Sequence, residues 1–151
     1  VVDKRVTVLH AGHSQAFALF ALVGTLVLLL LPGPAVEVLV DLARGWFPAS
    51  APDVPGLELP MDKLGHASLF ALCGVLLVWG WLQGATVSRF VLAFMGLTVM
   101  AVCTELAQLA IPGRSGDVWD VVADMVGAVL GIWLGVRSGA WLVARRVEVR
   151  Q

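Results

Sequence analysis

Four stretches of this chain are long and apolar enough to cross a bilayer, and no other feature constrains its fold as tightly. A spanning helix needs about 20 residues at about 1.5 Å of rise each, and it satisfies every backbone N–H and C=O within itself. Residues 15–31 carry no charge and end sharply at Pro32-Gly33-Pro34, where proline removes a donor and clashes with the preceding turn. Residues 61–82, 90–111 and 118–136 follow, the third closed by Pro112-Gly113. The pattern predicts an all-α, polytopic membrane protein with four transmembrane helices, organised as one domain over residues 1–151 without internal repeats. Residues 15–31 are too long and leucine-rich for a removed signal sequence and are expected to stay as an anchor.

Composition closes off the alternatives. Charged residues make up 14% and hydrophobic ones 59% of the chain, and the mean hydropathy is +0.90; a soluble domain carries about 25% charged residues. Ten Lys+Arg against eleven Asp+Glu give a net charge of -1, without the basic excess that nucleic-acid binding needs. Disorder is excluded by the apolar content. Six Trp and no Tyr suit a chain whose partner is the lipid bilayer, because indole rings gather at headgroups.

Residues 33–60 form the one long connection. A short helix is expected over 34–44, with Glu37, Asp41 and Arg44 on one face and Val36, Leu39, Val40 and Ala43, then Trp46 and Phe47, on the other. This is the pattern of a helix lying in the membrane interface. Residues 48–60 read as loop, residues 3–14 as a polar helical lead-in, and residues 137–151 as a basic tail with Trp141 as an interface anchor. If the N-terminus is cytoplasmic, Lys4, Arg5, Arg89, Arg137, Arg145, Arg146 and Arg150 share that side, and only Arg44, Lys63 and Arg114 lie opposite. The positive-inside rule therefore predicts both termini in the cytoplasm.

The remaining charge collects at span ends on the other side. Asp62, Lys63 and His66 open the second span, Glu105 and Gln108 close the third, and Arg114, Asp117, Asp120 and Asp124 lie in the turn and first turns of the fourth. Asp62 and His66 share a helix face, as do Glu105 and Gln108, and Asp117, Asp120 and Asp124 form one stripe. Asp124 sits about 10 Å deeper than Asp117, and a carboxylate at that depth must face inward and find a partner or a proton. The plain structural alternative makes Asp62 a helix N-cap, Asp117 and Asp120 first-turn acids, and the set a lock between helices. Gly127, Gly131 and Gly135, four apart, make a groove for close helix packing. Cys73 and Cys103 are expected to be buried thiols that pack as small residues. His10 and His13, three apart before the first span, offer a weak pair of metal ligands.

At these residues the chain resembles the VanZ-like family of small bacterial membrane proteins. The likeness rests on Asp62-Lys63-Leu64-Gly65-His66-Ala67 with Phe70, on Glu105-Leu106-Ala107-Gln108, and on Ile111-Pro112-Gly113-Arg114-Ser115 with Asp117, Asp120 and Gly127. Where the family commonly has Asn, this chain has Asp124. The family takes its name from a protein linked to low-level antibiotic resistance against the glycopeptide teicoplanin, and members occur beside genes for envelope assembly. The resemblance implies a multi-pass protein of the bacterial inner membrane; fold and family do not by themselves fix an activity.

Three functions remain open from sequence. In the first, the extracytoplasmic polar pocket handles a lipid-linked or glycopeptide-related headgroup, with Lys63 and Arg114 on phosphate and with His66, Glu105 and the aspartates managing protons or holding a divalent metal. Hydrolysis or transfer of a lipid phosphate would be its reaction class, without a recognised phosphatase or zinc signature. In the second, the chain is a non-catalytic accessory subunit of a larger membrane protein complex. The third is a small proton-coupled carrier.

Overall fold

In a computed structural model of the chain, residues 4–46 and 61–148 are described, with side chains over 12–42 and 62–139. They form five helices in the order α1 (Lys4–Leu29), α2 (Gly33–Trp46), α3 (Met61–Leu77, prolonged by a π turn over Val78–Leu82), α4 (Val87–Gln108) and α5 (Val118–Glu148). No strand occurs among the described residues. The four segments long and apolar enough to span a membrane are Gly12–Leu29, Asp62–Leu82, Val87–Gln108 and Val118–Gly139. The loop expected at 48–60, the residues Phe47 and Arg150, and the side chains of His10, Ala43, Arg44, Trp46 and Trp141 lie outside the described residues.

The spans alternate in direction, so α3 and α5 run parallel. Their contact is the tightest among the described helices. A methyl group built on Gly127 would land on the carbonyl oxygen of Ala67, and one on Gly131 on that of Ala71. Both residue pairs advance by four, one helix turn. Only a hydrogen fits there, and it points at a carbonyl oxygen in the manner of a Cα–H···O contact. The core beside this seam is built largely of small residues: Ala21, Ala101, Ala128 and Cys73 are buried together with Phe70, Leu29 and Leu97. Small side chains suit a bilayer, where close packing and not water exclusion drives helix association. Outward-facing Phe17, Phe20, Leu92 and Met95 are uncovered by protein and meet lipid.

Two of the span junctions are bonded to each other. Pro32 lacks an N–H and ends α1; the next residue, Gly33, donates its N–H to the Pro112 carbonyl after α4 at 3.3 Å. Gly113 there has φ +74° and touches the Gly33 backbone, a backbone state that favours glycine. Gln108 completes the tie: its side-chain amide donates to the Leu29 carbonyl at 2.9 Å, one of the carbonyls that the end of α1 leaves orphaned.

Several boundaries differ from the sequence expectation for physical reasons. The third span ends at Gln108 and not at 111, because residues 107–111 tighten into i→i+3 bonds ahead of Pro112, which disfavours α geometry before it. The helix of the fourth span, α5, runs twelve residues beyond 136, to Glu148, because leaving the apolar layer ends hydrophobicity but not helical hydrogen bonding. Cys103 is a correction: Cys73 is buried, whereas Cys103 is exposed on α4. In a membrane helix the outer face is as apolar as the inner one, so an apolar setting does not imply burial. The short helix in the first connection forms as α2, with Leu39 and Val40 uncovered by protein.

Candidate functional site

At the end of the bundle where α1 and α4 finish and α3 and α5 begin, six of the nine polar residues picked out from sequence form one network. Asp117 starts α5: its Oδ1 accepts from the N–H of Trp119 at 2.9 Å, the N-cap role that short acids fill well. Its own N–H donates to Glu105 Oε2 at 2.8 Å, which ties α4 to the α5 turn. Lys63, in the first turn of α3, donates from Nζ to Asp117 Oδ2 at 2.7 Å and to Asp120 Oδ1 at 2.8 Å. The Lys63 ammonium, and after it the Trp119 N–H, holds the Asp117 carboxyl below the usual carboxylate range.

One turn deeper, water is excluded. His66, Glu105, Asp120 and Asp124 are 3%, 6%, 3% and 0% exposed. His66 Nδ1 lies 3.1 Å from Asp124 Oδ1 and 3.9 Å from Glu105 Oε1, and its Nε2 lies 3.9 Å from Asp120 Oδ2. With Asp124 ionised, Nδ1 carries the proton of the short bond, since a carboxylate can only accept. Among the described residues, two buried oxygens have no hydrogen-bond partner, Glu105 Oε1 and Asp124 Oδ2. Buried polar atoms are nearly always paired, so this pair marks the site as incomplete in itself. Two trios bring one donor atom each to within 4.8 Å of one another: His66, Glu105 and Asp124, all buried, and Asp62, His66 and Asp120, of which Asp62 is exposed.

The other three residues make no hydrogen bond to this network. Gln108 serves the end of α1. Asp62 sits exposed within the first turn of α3, beyond its first residue Met61, and the N-cap role identified here belongs to Asp117 on α5. Arg114 is half-buried and makes no side-chain hydrogen bond or ion pair with any described residue. Reading the sequence did not single out Thr25, which is buried and meets Cys73 Sγ at 3.3 Å, nor Thr104, which bonds back to the Ala101 carbonyl at 2.8 Å. Both are polar residues within apolar spans, and that is the signal that would have found them. Far from the site, Trp79 donates to Ser138 at 3.1 Å and Arg137 lies 5.6 Å from the Trp133 ring centroid, a pairing of cation and indole suited to a headgroup layer.

No curated protein and no solved structure shows significant similarity to the chain. The sequence profile of the VanZ/LLP1 family matches residues 19–139, which takes in the three motifs at 62–70, 105–108 and 111–127 and every described residue of the polar network. The chain is a multi-pass membrane protein that belongs to the VanZ/LLP1 family.

Proposed function

We propose that this chain is a bacterial envelope protein that binds the polar headgroup of a lipid-linked ligand at the His66–Glu105–Asp124 end of its bundle. One observation carries the reading. Among the described residues Glu105 Oε1 and Asp124 Oδ2 are buried without partners. They call for donors such as the hydroxyl or amino groups of a headgroup, whereas a lock that served only to fix helix register would have its acceptors paired. Lys63 is held by two aspartates and is not available for phosphate. Arg114, in the turn between α4 and α5, is the guanidinium left to take a phosphate group in two parallel hydrogen bonds. The charge asymmetry supports an orientation with both termini in the cytoplasm of the inner membrane and the site on the outer side. A membrane-impermeant maleimide should then label Ser115→Cys on intact cells and Arg89→Cys only after lysis.

The binding test uses farnesyl diphosphate as a short lipid diphosphate, with the protein held in mild detergent and EDTA and read by native mass spectrometry. A one-to-one adduct is expected, weakened about tenfold by Arg114→Ala, the loss of about 1.4 kcal/mol typical of a charge-assisted hydrogen bond. Arg89→Ala, at the opposite end, should leave it unchanged. Equal adducts in both variants would sink the reading. A stoichiometric protein partner that co-purifies in place of a lipid adduct would favour the accessory-subunit function.

A further inference from the structure

We propose that His66, Glu105 and Asp124 form a binding site for a single divalent transition-metal ion of the zinc or manganese type. The site goes beyond headgroup binding and does not depend on it.

The geometry fits a metal. Bonds of about 2.0–2.1 Å in a tetrahedron place neighbouring ligand atoms about 3.3 Å apart. His66 Nδ1 is 3.1 Å from Asp124 Oδ1 and 3.9 Å from Glu105 Oε1, a pair of distances that brackets that edge. The three residues come from three different spans, α3, α4 and α5, and all are buried. Glu105 Oε1, one of these ligand atoms, is buried without a donor among the described residues, as is Asp124 Oδ2 on the same carboxylate as Oδ1. A hydrogen-bonded lock offers no reason for that, and a cation does.

Charge points the same way. When both are ionised, Glu105 and Asp124 bring two negative charges into the layer of the spans, and a neutral imidazole leaves both unbalanced. Lys63 is committed to Asp117 and Asp120. A divalent ion cancels both charges at once, and for the neutral ring to bind it through Nδ1 the ring proton moves to Nε2, on the side of Asp120 Oδ2. The imidazole favours zinc over magnesium or calcium, which prefer oxygen alone, and the two carboxylates suit manganese as well.

The neighbours are arranged to hold such a set. The Asp117 N–H fixes Glu105 Oε2 at 2.8 Å, which leaves Oε1 directed at His66. Asp120 Oδ2 faces the other ring nitrogen at 3.9 Å, the place from which a carboxylate orients a ligating histidine. Three protein ligands leave a fourth position open, where water or a headgroup oxygen can bind. The trio of Asp62, His66 and Asp120 is the weaker candidate, because Asp62 is exposed and Asp120 is already bound by Lys63.

The test uses the full chain in detergent, purified through a tag without histidines, stripped with EDTA and titrated with Zn²⁺ alone, then with Mn²⁺ alone. One equivalent of zinc or manganese is expected to survive desalting and to raise the unfolding midpoint. Glu105→Gln and Asp124→Asn, both close in shape to the native residues, should each weaken binding by about 100-fold. A His10→Ala/His13→Ala variant should bind as the parent does. The proposal is overturned if the stripped protein takes up neither metal at millimolar concentration, if Glu105→Gln/Asp124→Asn binds like the parent, or if the metal follows His10 and His13. Should the carboxylate variants not fold, X-ray absorption on the parent decides. One imidazole nitrogen among oxygens supports the site, and two or more imidazoles overturn it. Zinc or manganese uptake without a farnesyl diphosphate adduct removes only the headgroup reading; an adduct in EDTA without uptake of either metal removes only this one.

Discussion

Gly131→Leu is expected to lose about 3 kcal/mol or more of stability, whereas Gly96→Leu should be neutral or gain up to about 0.8 kcal/mol. The chemical change is the same and the surroundings differ. A methyl group on Gly131 meets the backbone of Ala71, carbonyl included, while one on Gly96 meets nothing within 4 Å. The Ala71 carbonyl is fixed in its own helix and cannot turn aside, so α3 and α5 must separate. Helix propensity runs the other way, because leucine is a better helix former than glycine by about 0.8 kcal/mol. That makes a destabilised Gly131→Leu harder to explain by anything except the seam. Thermal unfolding in detergent, with yield from membranes as a second reading, checks the pair. Equal midpoints for the two variants would mean that α3 and α5 do not pack through this stripe.

His66→Leu is expected to lose about 3–5 kcal/mol, the usual consequence of removing one member of a buried pair. Asp124 is fully buried, its Oδ1 faces the His66 ring at 3.1 Å, and its Oδ2 has no partner. Without the imidazole, a carboxylate would remain inside the bundle with no donor at all. Adding Asp124→Asn removes the charge with little change of volume and should recover part of the loss. The coupling between the two positions should be about 1–3 kcal/mol. Asp124→Asn alone should be mild, since an amide still accepts from Nδ1. Unfolding in EDTA measures the cycle without interference from metal. Strict additivity would show that the two side chains do not share an interaction.

The spans were legible in the sequence because hydrophobicity in a membrane chain is a matter of length. The network was legible because ionisable residues inside such spans must face one another. The seam between α3 and α5 was half visible: Gly127, Gly131 and Gly135 announce a groove, but Ala67 and Ala71, which fill it, look like any small residues. The junction of Gly33 with Pro112 and the Gln108 bond to Leu29 were hidden, since both involve backbone atoms that every residue has. Arg114 and Lys63 looked alike as cations. Only distances separate them, one ammonium held by two aspartates and one guanidinium without such a pair among the described residues. Cys103 shows the converse limit: in lipid, inside and outside have the same composition.

The parallel pairing of α3 and α5 also sets an order of events during synthesis. Spans enter the membrane in sequence, and α4 lies between these two in the chain. His66 meets Asp124 from 58 positions away, and Lys63 meets Asp117 and Asp120 from 54 and 57. The second span must therefore be inserted with its lysine and histidine before the acids that hold them have been made. Lys63 and His66 near one end of a helix whose only other charge is Asp62 beside them are tolerable for that interval, because both can reach up to the headgroups. Deep acids would be harder to carry through it, and the deepest of them, Asp124, comes with the last span.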